Sequence, residues 1–218
     1  MKEGLLQRLR RLAAGPRHEQ AVEPYRVRLV VGLGNPGSGY AANRHNVGQW
    51  AVNRLARRHD MRFDTSGQAS LARGTLGGRG VTLAKPRTYV NHSGRAVWNL
   101  IKRLKLDDAH ELLVICDDLD LPLGNLRLRP SGGHGGQKGL QSIIQATGND
   151  QFPRLRIGIG RPVVRGEPSY DPDVIADYVL SDPPPEERDL LDEAVERAAD
   201  VVEAVLADGV EAAMQRYN

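Results

Sequence analysis

The chain alternates between short apolar, β-branched runs and longer segments whose apolar residues recur every three to four positions, the signatures of buried strands and amphipathic helices. Residues 27–33 read as a buried strand, and the pattern breaks on Gly34, Pro36, Gly37 and Gly39 before any helix begins. A helix follows over 47–59, with Val47, Trp50, Ala51 and Leu55 on its apolar face. Residues 70–76 and 81–84, separated by Gly77 and Gly78, read as a hairpin, so the sheet contains antiparallel pairs. A second helix is expected over 95–106, capped by Ser93 and packed through Val97, Leu100, Ile101 and Leu104.

Residues 111–120 read as a central buried strand that ends in Asp117, Asp118 and Asp120. Residues 126–129 alternate as a strand with Arg127 and Arg129 on one face, a helix starts near Lys138, and a last strand over 155–160 has Arg156 at its start. Helices are expected over 171–180, 186–206 and 209–217, with Leu190, Leu191, Val195, Val202 and Val205 packed against the body. The break at 181–185 leaves the 171–180 segment either a lid or a plain packed helix. The sum is a single α/β domain over 26–218, a mixed twisted β-sheet flanked by helices, behind a basic extension over 1–25.

Chemistry concentrates where the strands end. The loop after the first strand carries Asn35, an amide with donor and acceptor, and His45, the residue type that titrates near neutrality. Gly32, Gly34 and Gly37 satisfy a dinucleotide fingerprint, but Pro36 and the glycines keep helix from starting at the turn, and Asp60 follows a helix instead of ending a second strand. Asn91, before the second helix, is either a second functional amide or a loop-stabilising hydrogen bonder. One carboxylate at the mouth of the central strand can orient a histidine. Three together also suggest a divalent metal, although their spacing fits no dedicated metal loop. Cys116 reads as a buried strand residue. The glycine-rich stretch 130–137 beside the arginines fits phosphate binding at a helix N-terminus, against the simpler reading of a mobile loop.

The 218 residues suffice for a full core, and one cysteine excludes an internal disulfide framework and fits a reducing compartment. No run is long enough for a membrane span and no secretory signal is evident, so an intracellular, cytoplasmic protein is expected. The net charge of +3 hides an asymmetry: +4 over residues 1–28, +10 over 29–170 and −11 over 171–218. A basic body suits an anionic partner such as nucleic acid, while the acidic end reads equally as solvated helices. Within the extension, Leu5, Leu6, Leu9 and Leu12 at helical spacing beside Arg8, Arg10 and Arg11 fit a short basic amphipathic helix. A transit peptide is disfavoured by Glu3, Glu19 and Glu23, and a poorly ordered extension is the plainest reading.

Taken in order, Gly32-Leu33-Gly34-Asn35-Pro36-Gly37, Arg44-His45-Asn46-Val47-Gly48, Lys85-Pro86-x-Thr88-Tyr89-x-Asn91-x-Ser93-Gly94, Asp117-Asp118-Leu119-Asp120-Leu121-Pro122, Gly132-Gly133-His134-Gly135-Gly136 and Arg156-Ile157-Gly158-Ile159-Gly160-Arg161 resemble the motifs of bacterial-type peptidyl-tRNA hydrolases. The resemblance covers about residues 27–217. It implies hydrolysis of the ester between a peptide and the 3′ ribose of its tRNA, recycling the tRNA, by a cytoplasmic monomer that needs no cofactor and no metal. It implies His45 as the base that activates water, Asp117 as acceptor of the other ring N–H, and Asn35 as the residue that places the water and selects blocked amino groups. Asn91, Tyr40 and Tyr89 would hold the peptide and terminal ribose, and Arg127, Arg129 and Arg156 would clamp tRNA phosphates irrespective of sequence. Two positions depart from the family pattern. Gln137-Lys138 stands where His-Asn is common, so Lys138 would contact substrate as a donor only, and Val90 stands where methionine is common. A non-catalytic RNA-binding relative is the rival reading, motivated by Lys138 and the basic extension and opposed by the intact Asn35, His45, Asn91 and Asp117 set.

Overall fold

The strand β1 (Leu29–Gly32) is buried on both faces, which is why its sequence is continuously apolar instead of alternating. Leu29 and Val31 project to one side of the sheet and Val30 to the other, each into its own apolar cluster. The computed structural model describes residues 26–107 and 109–218, so the extension expected over 1–25 lies outside the described residues.

A seven-stranded sheet is built from β1, β2 (Asp64–Ser66), β3 (Ala69–Leu76), β4 (Arg79–Pro86), β5 (Leu112–Asp118), β6 (Leu126–Arg129) and β7 (Arg154–Gly158). Its order is β2-β3-β4-β1-β5-β7-β6. The pairs β1–β4, β1–β5 and β5–β7 are parallel, while β2–β3, β3–β4 and β6–β7 are antiparallel. The mixed sheet is therefore as the hairpin pattern predicts, and Gly77 and Gly78 close the β3–β4 hairpin with φ of 56° and 76°, the left-handed pair that a tight turn matching strand twist requires.

Helices α1 (Val47–Arg58) and α5 (Pro185–Asp208) cover one face, and α2 (Ser93–Leu104) and α3 (Lys138–Thr147) cover the other. The short α4 (Pro172–Val179) lies before α5, and α6 (Val210–Tyr217) packs beside β6 and α5. Close approach of α1 to the sheet depends on Gly48: a Cβ there would sit 2.4 Å from the Ile115 carbonyl oxygen. A small two-stranded ribbon, β8 (Val163–Val164) with β9 (Glu167–Pro168), projects from the 159–170 connection.

The expectations need four corrections. The second helix begins at Ser93 after a 3₁₀ turn, Val90–His92, and Ser93 does not cap it: its hydroxyl is buried without a hydrogen-bond partner. Helix α2 ends at Leu104, where Lys105 turns left-handed at φ 50°. Leu190 is 48 % exposed, whereas Leu191, Val195, Val202 and Val205 are buried as expected. The first strand is shorter than its apolar run, because Leu33 leaves the regular ladder while still donating to the Ile115 carbonyl at 2.9 Å.

Neighbouring strands β1 and β4 send their chains to opposite faces, through α1 and α2, and this reversal opens a crevice at the C-terminal edge of the parallel strands. The loops after β1, β4, β5 and β7 all converge on it.

Candidate active site

A cleft of about 630 Å³ occupies that crevice. His45 reaches it from a 3₁₀ turn, Arg44–Asn46, that leads into α1, and Asp117 reaches it from the C-terminal end of β5. His45 Nδ1 lies 2.8 Å from Asp117 Oδ2. A carboxylate can only accept here, so Nδ1 carries the proton and Nε2 keeps a free lone pair. Burial is the largest influence on the ring and disfavours its charge, yet the negative charge and hydrogen bond of Asp117 outweigh it, and the pKa is raised above its ordinary value. The Lys138 ammonium opposes that rise.

Asp117 is held from its other side as well. Gln137 Nε2 donates to Asp117 Oδ1 at 2.9 Å. The same side chain caps α3: its Oε1 accepts from Gly139 N at 2.6 Å and Leu140 N at 2.9 Å. The helix start near Lys138 is as the pattern predicts, but the role of Gln137 is not evident from the sequence, since glutamine is not among the residue types that usually announce an N-cap.

Asn35 is fixed by backbone and side chain together. Its N–H donates to Asn46 Oδ1 at 2.8 Å, and Asn46 Nδ2 returns a bond to the Asn35 carbonyl at 2.9 Å. Asn35 Oδ1 accepts from Val90 N at 2.9 Å, which leaves the Nδ2 donor as the edge of this amide for a ligand. Asn46, in sequence only one letter of the Arg44-His45-Asn46-Val47-Gly48 motif, holds the Asn35 backbone from both sides.

The remaining expected residues divide. Tyr40, Tyr89, Asn91, Lys138 and Arg156 line the same cleft as Asn35, His45 and Asp117. Tyr40 and Tyr89 meet edge to face with ring centroids 6.2 Å apart, and Tyr89 is 55 % exposed at the rim. Arg127 and Arg129 lie outside the cleft. Arg127 pairs across β6–β7 with Arg156, and Arg129 with Arg154, so all four arginines project from one face of the sheet edge. Arg127 borders a separate depression with Arg197, Tyr217 and Asn218.

The three carboxylates at and just beyond the end of β5 diverge instead of converging on one ion. Asp117 takes His45 and Gln137, Asp118 takes Arg156 Nη1 at 3.0 Å, and Asp120 takes Arg161 at 2.7 Å. Among the described residues no group of three or more His, Cys, Asp and Glu side chains is placed to hold a metal ion. Cys116 is buried, and burial pushes its thiol pKa far up, so it is a poor nucleophile. The glycine-rich stretch is tethered by Arg154, a fully buried side chain absent from the expected set, which donates to the carbonyl oxygens of Gly132, Gly133, Asp150 and Phe152.

Comparison with known proteins takes in nearly all of the described chain. The family model described as peptidyl-tRNA hydrolase matches residues 29–218. A peptidyl-tRNA hydrolase of Chloroflexus aggregans is 49 % identical over 191 residues, covering 87 % of this chain and 98 % of that protein. One of Haemophilus influenzae is 43 % identical over 195 residues, covering 88 % and 96 %. The crystal structure of peptidyl-tRNA hydrolase from Acinetobacter baumannii superposes with a TM-score of 0.82 at 35 % identity, over 90 % of this chain and 96 % of that one.

Proposed function

The chain belongs to the peptidyl-tRNA hydrolase family and hydrolyses peptidyl-tRNA, and from that premise we propose how the cleft cuts the ester and which residues act. Water held between His45 Nε2 and the acyl carbonyl loses its proton to the ring as its oxygen attacks. Asp117 stabilises the imidazolium that forms and keeps the Nδ1 proton in place. Charge gathers on the carbonyl oxygen in the tetrahedral intermediate, and Asn35, whose Oδ1 is taken by Val90 N, turns its Nδ2 donor to it. The imidazolium then returns its proton to the departing ribose oxygen, which yields a peptide carboxylate and free tRNA.

The observation that carries this reading is the 2.8 Å His45–Asp117 pair inside a cleft that Asn35 also lines. Tyr40, Tyr89 and Asn91 on the rim suit the peptide and terminal ribose, Lys138 donates to the substrate, and Arg127, Arg129 and Arg156 hold phosphates. The reaction as drawn routes every proton through His45 and calls on no metal or cofactor. We read the enzyme as a cytoplasmic monomer; among the described residues no helix is long and apolar enough to cross a membrane.

His45→Ala tests the base directly. Cleavage of N-blocked aminoacyl-tRNA should fall by about 10² to 10⁴, the range of a positioned acid or base. Cleavage at the parental rate would remove His45 from the mechanism.

A further inference from the structure

The amide of Gln137 stands between two groups that need opposite partners. Its Oε1 accepts from the first free amides of α3, Gly139 N and Leu140 N, and its Nε2 donates to Asp117 Oδ1 at 2.9 Å. Asp117 thereby has one donor on each carboxylate oxygen, Gln137 on Oδ1 and His45 on Oδ2. A carboxylate held at one end only can swing about its Cβ–Cγ bond; held at both ends, its plane is set. Donation by the helix amides also polarises the glutamine carbonyl, which strengthens the Nε2–H as a donor toward a negative charge. The positive end of α3 therefore reaches Asp117 through a neutral amide.

We propose that Gln137 is a positioning residue for the hydrolysis, fixing the Asp117 carboxylate so that Oδ2 faces His45 and coupling that orientation to the start of α3. This rests on the reading of His45 as the base. It goes beyond that reading by assigning a residue outside the reacting atoms to the geometry of the pair. The side chain must offer an acceptor at one end and a donor at the other. Neutral histidine meets that need, serine supplies only the cap, and glutamate supplies a cap but sets a second carboxylate against Asp117.

These chemistries separate a plain cap from a positioning role. Gln137→Ser and Gln137→Glu keep an N-cap oxygen, so both should melt within a few degrees of the parent. Their kcat on N-blocked aminoacyl-tRNA should nevertheless fall on the order of tenfold to a hundredfold, with KM within about twofold, because misplacement of a catalytic group costs turnover and leaves binding intact. Gln137→His should recover most of the loss. In Gln137→Ser the His45 ring, followed by NMR, should titrate at lower pH than in the parent, since a loosened Asp117 supports the imidazolium less. His134, Lys138, the Asp118–Arg156 pair and the Asp120–Arg161 pair also line the cleft and are unaltered in these variants.

A Ser variant with parental kcat and a parental His45 titration would reduce Gln137 to a helix cap. So would a loss confined to KM, or a loss of activity that tracks melting temperature across all three variants. The titration needs no turnover. A shifted His45 pKa in Gln137→Ser alongside full activity of His45→Ala would overturn the catalytic reading and leave the positioning of Asp117 standing.

Discussion

At the scale of single residues the account turns on the protonation of one ring. The His45 pKa is raised in the folded protein, because Asp117 outweighs burial, so the neutral base is lost as pH falls through that raised value. Asp117→Asn removes the support. The acidic limb of the pH–rate profile should move to lower pH, while the plateau rate falls by about 10² to 10⁴ as the imidazolium and its tautomer lose their partner. An unmoved limb would detach Asp117 from the titration. The same pair has a stability consequence with a definite sign. A raised folded-state pKa favours the folded form fully below the unfolded value near 6.5, and that contribution disappears as pH rises through the folded value. Thermal melts should show the difference between parent and His45→Gln largest below the unfolded value and shrinking as pH rises through the raised folded value. His45, Asp117 and Asn35 were legible in the sequence because each ends a strand or sits in a glycine-broken loop, where few structural demands compete. Gln137 and Asn46 were not, because their roles arise from partners 20 and 11 positions away along the chain that no local pattern reveals.

At the scale of elements the site is a set of loops pinned by buried polar side chains. Arg44, one residue before the base, is buried and ties the 181–187 segment to the His45 turn: it bonds Ser181 Oγ at 2.6 Å and Glu187 at 2.6 Å, and its guanidinium lies 4.3 Å from the Tyr178 ring centroid. Tyr178 in turn donates to the Ile159 carbonyl at 2.6 Å. The proline-rich break expected as a possible hinge is thus anchored, and α4 lines the cleft without burying any residue of its own. Arg44→Met should destabilise the fold by about 2 kcal/mol, less than the loss of a wholly buried pair because Glu187 is one-third exposed, and it should also raise KM as α4 loosens. A variant with unchanged melting temperature and KM would remove Arg44 from this role. Gly48→Ala should cost about 3 kcal/mol or more by forcing α1 off β5, read as a lowered denaturation midpoint; a neutral effect would contradict the close contact with Ile115. Long periodic elements such as α1, α5 and β5 were readable from the pattern, as was the hairpin closed by Gly77 and Gly78. The three-residue β2 and the two-residue β8 and β9 were not, since elements that short have no period to detect.

At the scale of the whole molecule the charge asymmetry acquires a geometry. Acidic side chains of α5 face the basic end of α1, where Arg58 meets Glu196, Asp200 and Glu203, Arg54 meets Glu196, and His59 meets Glu203. The α5 part of the acidic segment is therefore not wholly solvated but paired with α1, while the arginines of β6 and β7 share the face of the sheet edge set by their cross-strand pairing. Arg127→Ala and Arg129→Ala should each lower the slope of log affinity against log salt for tRNA by about 1 while sparing turnover of a small N-blocked ester. An unchanged slope would move the phosphate contacts elsewhere. Fold class and sheet type followed from the sequence because glycines and apolar runs mark the strands. Strand order did not, as it is set by which faces α1 and α2 cover. The most direct test of the whole account is to measure single-turnover release of tRNA from peptidyl-tRNA across pH and to titrate the His45 ring by NMR in the same protein. The acidic limb of the rate should coincide with the ring's pKa, above its ordinary value, and both should fall together in Asp117→Asn. A rate that stays level while His45 becomes protonated would contradict the claim that this imidazole is the base.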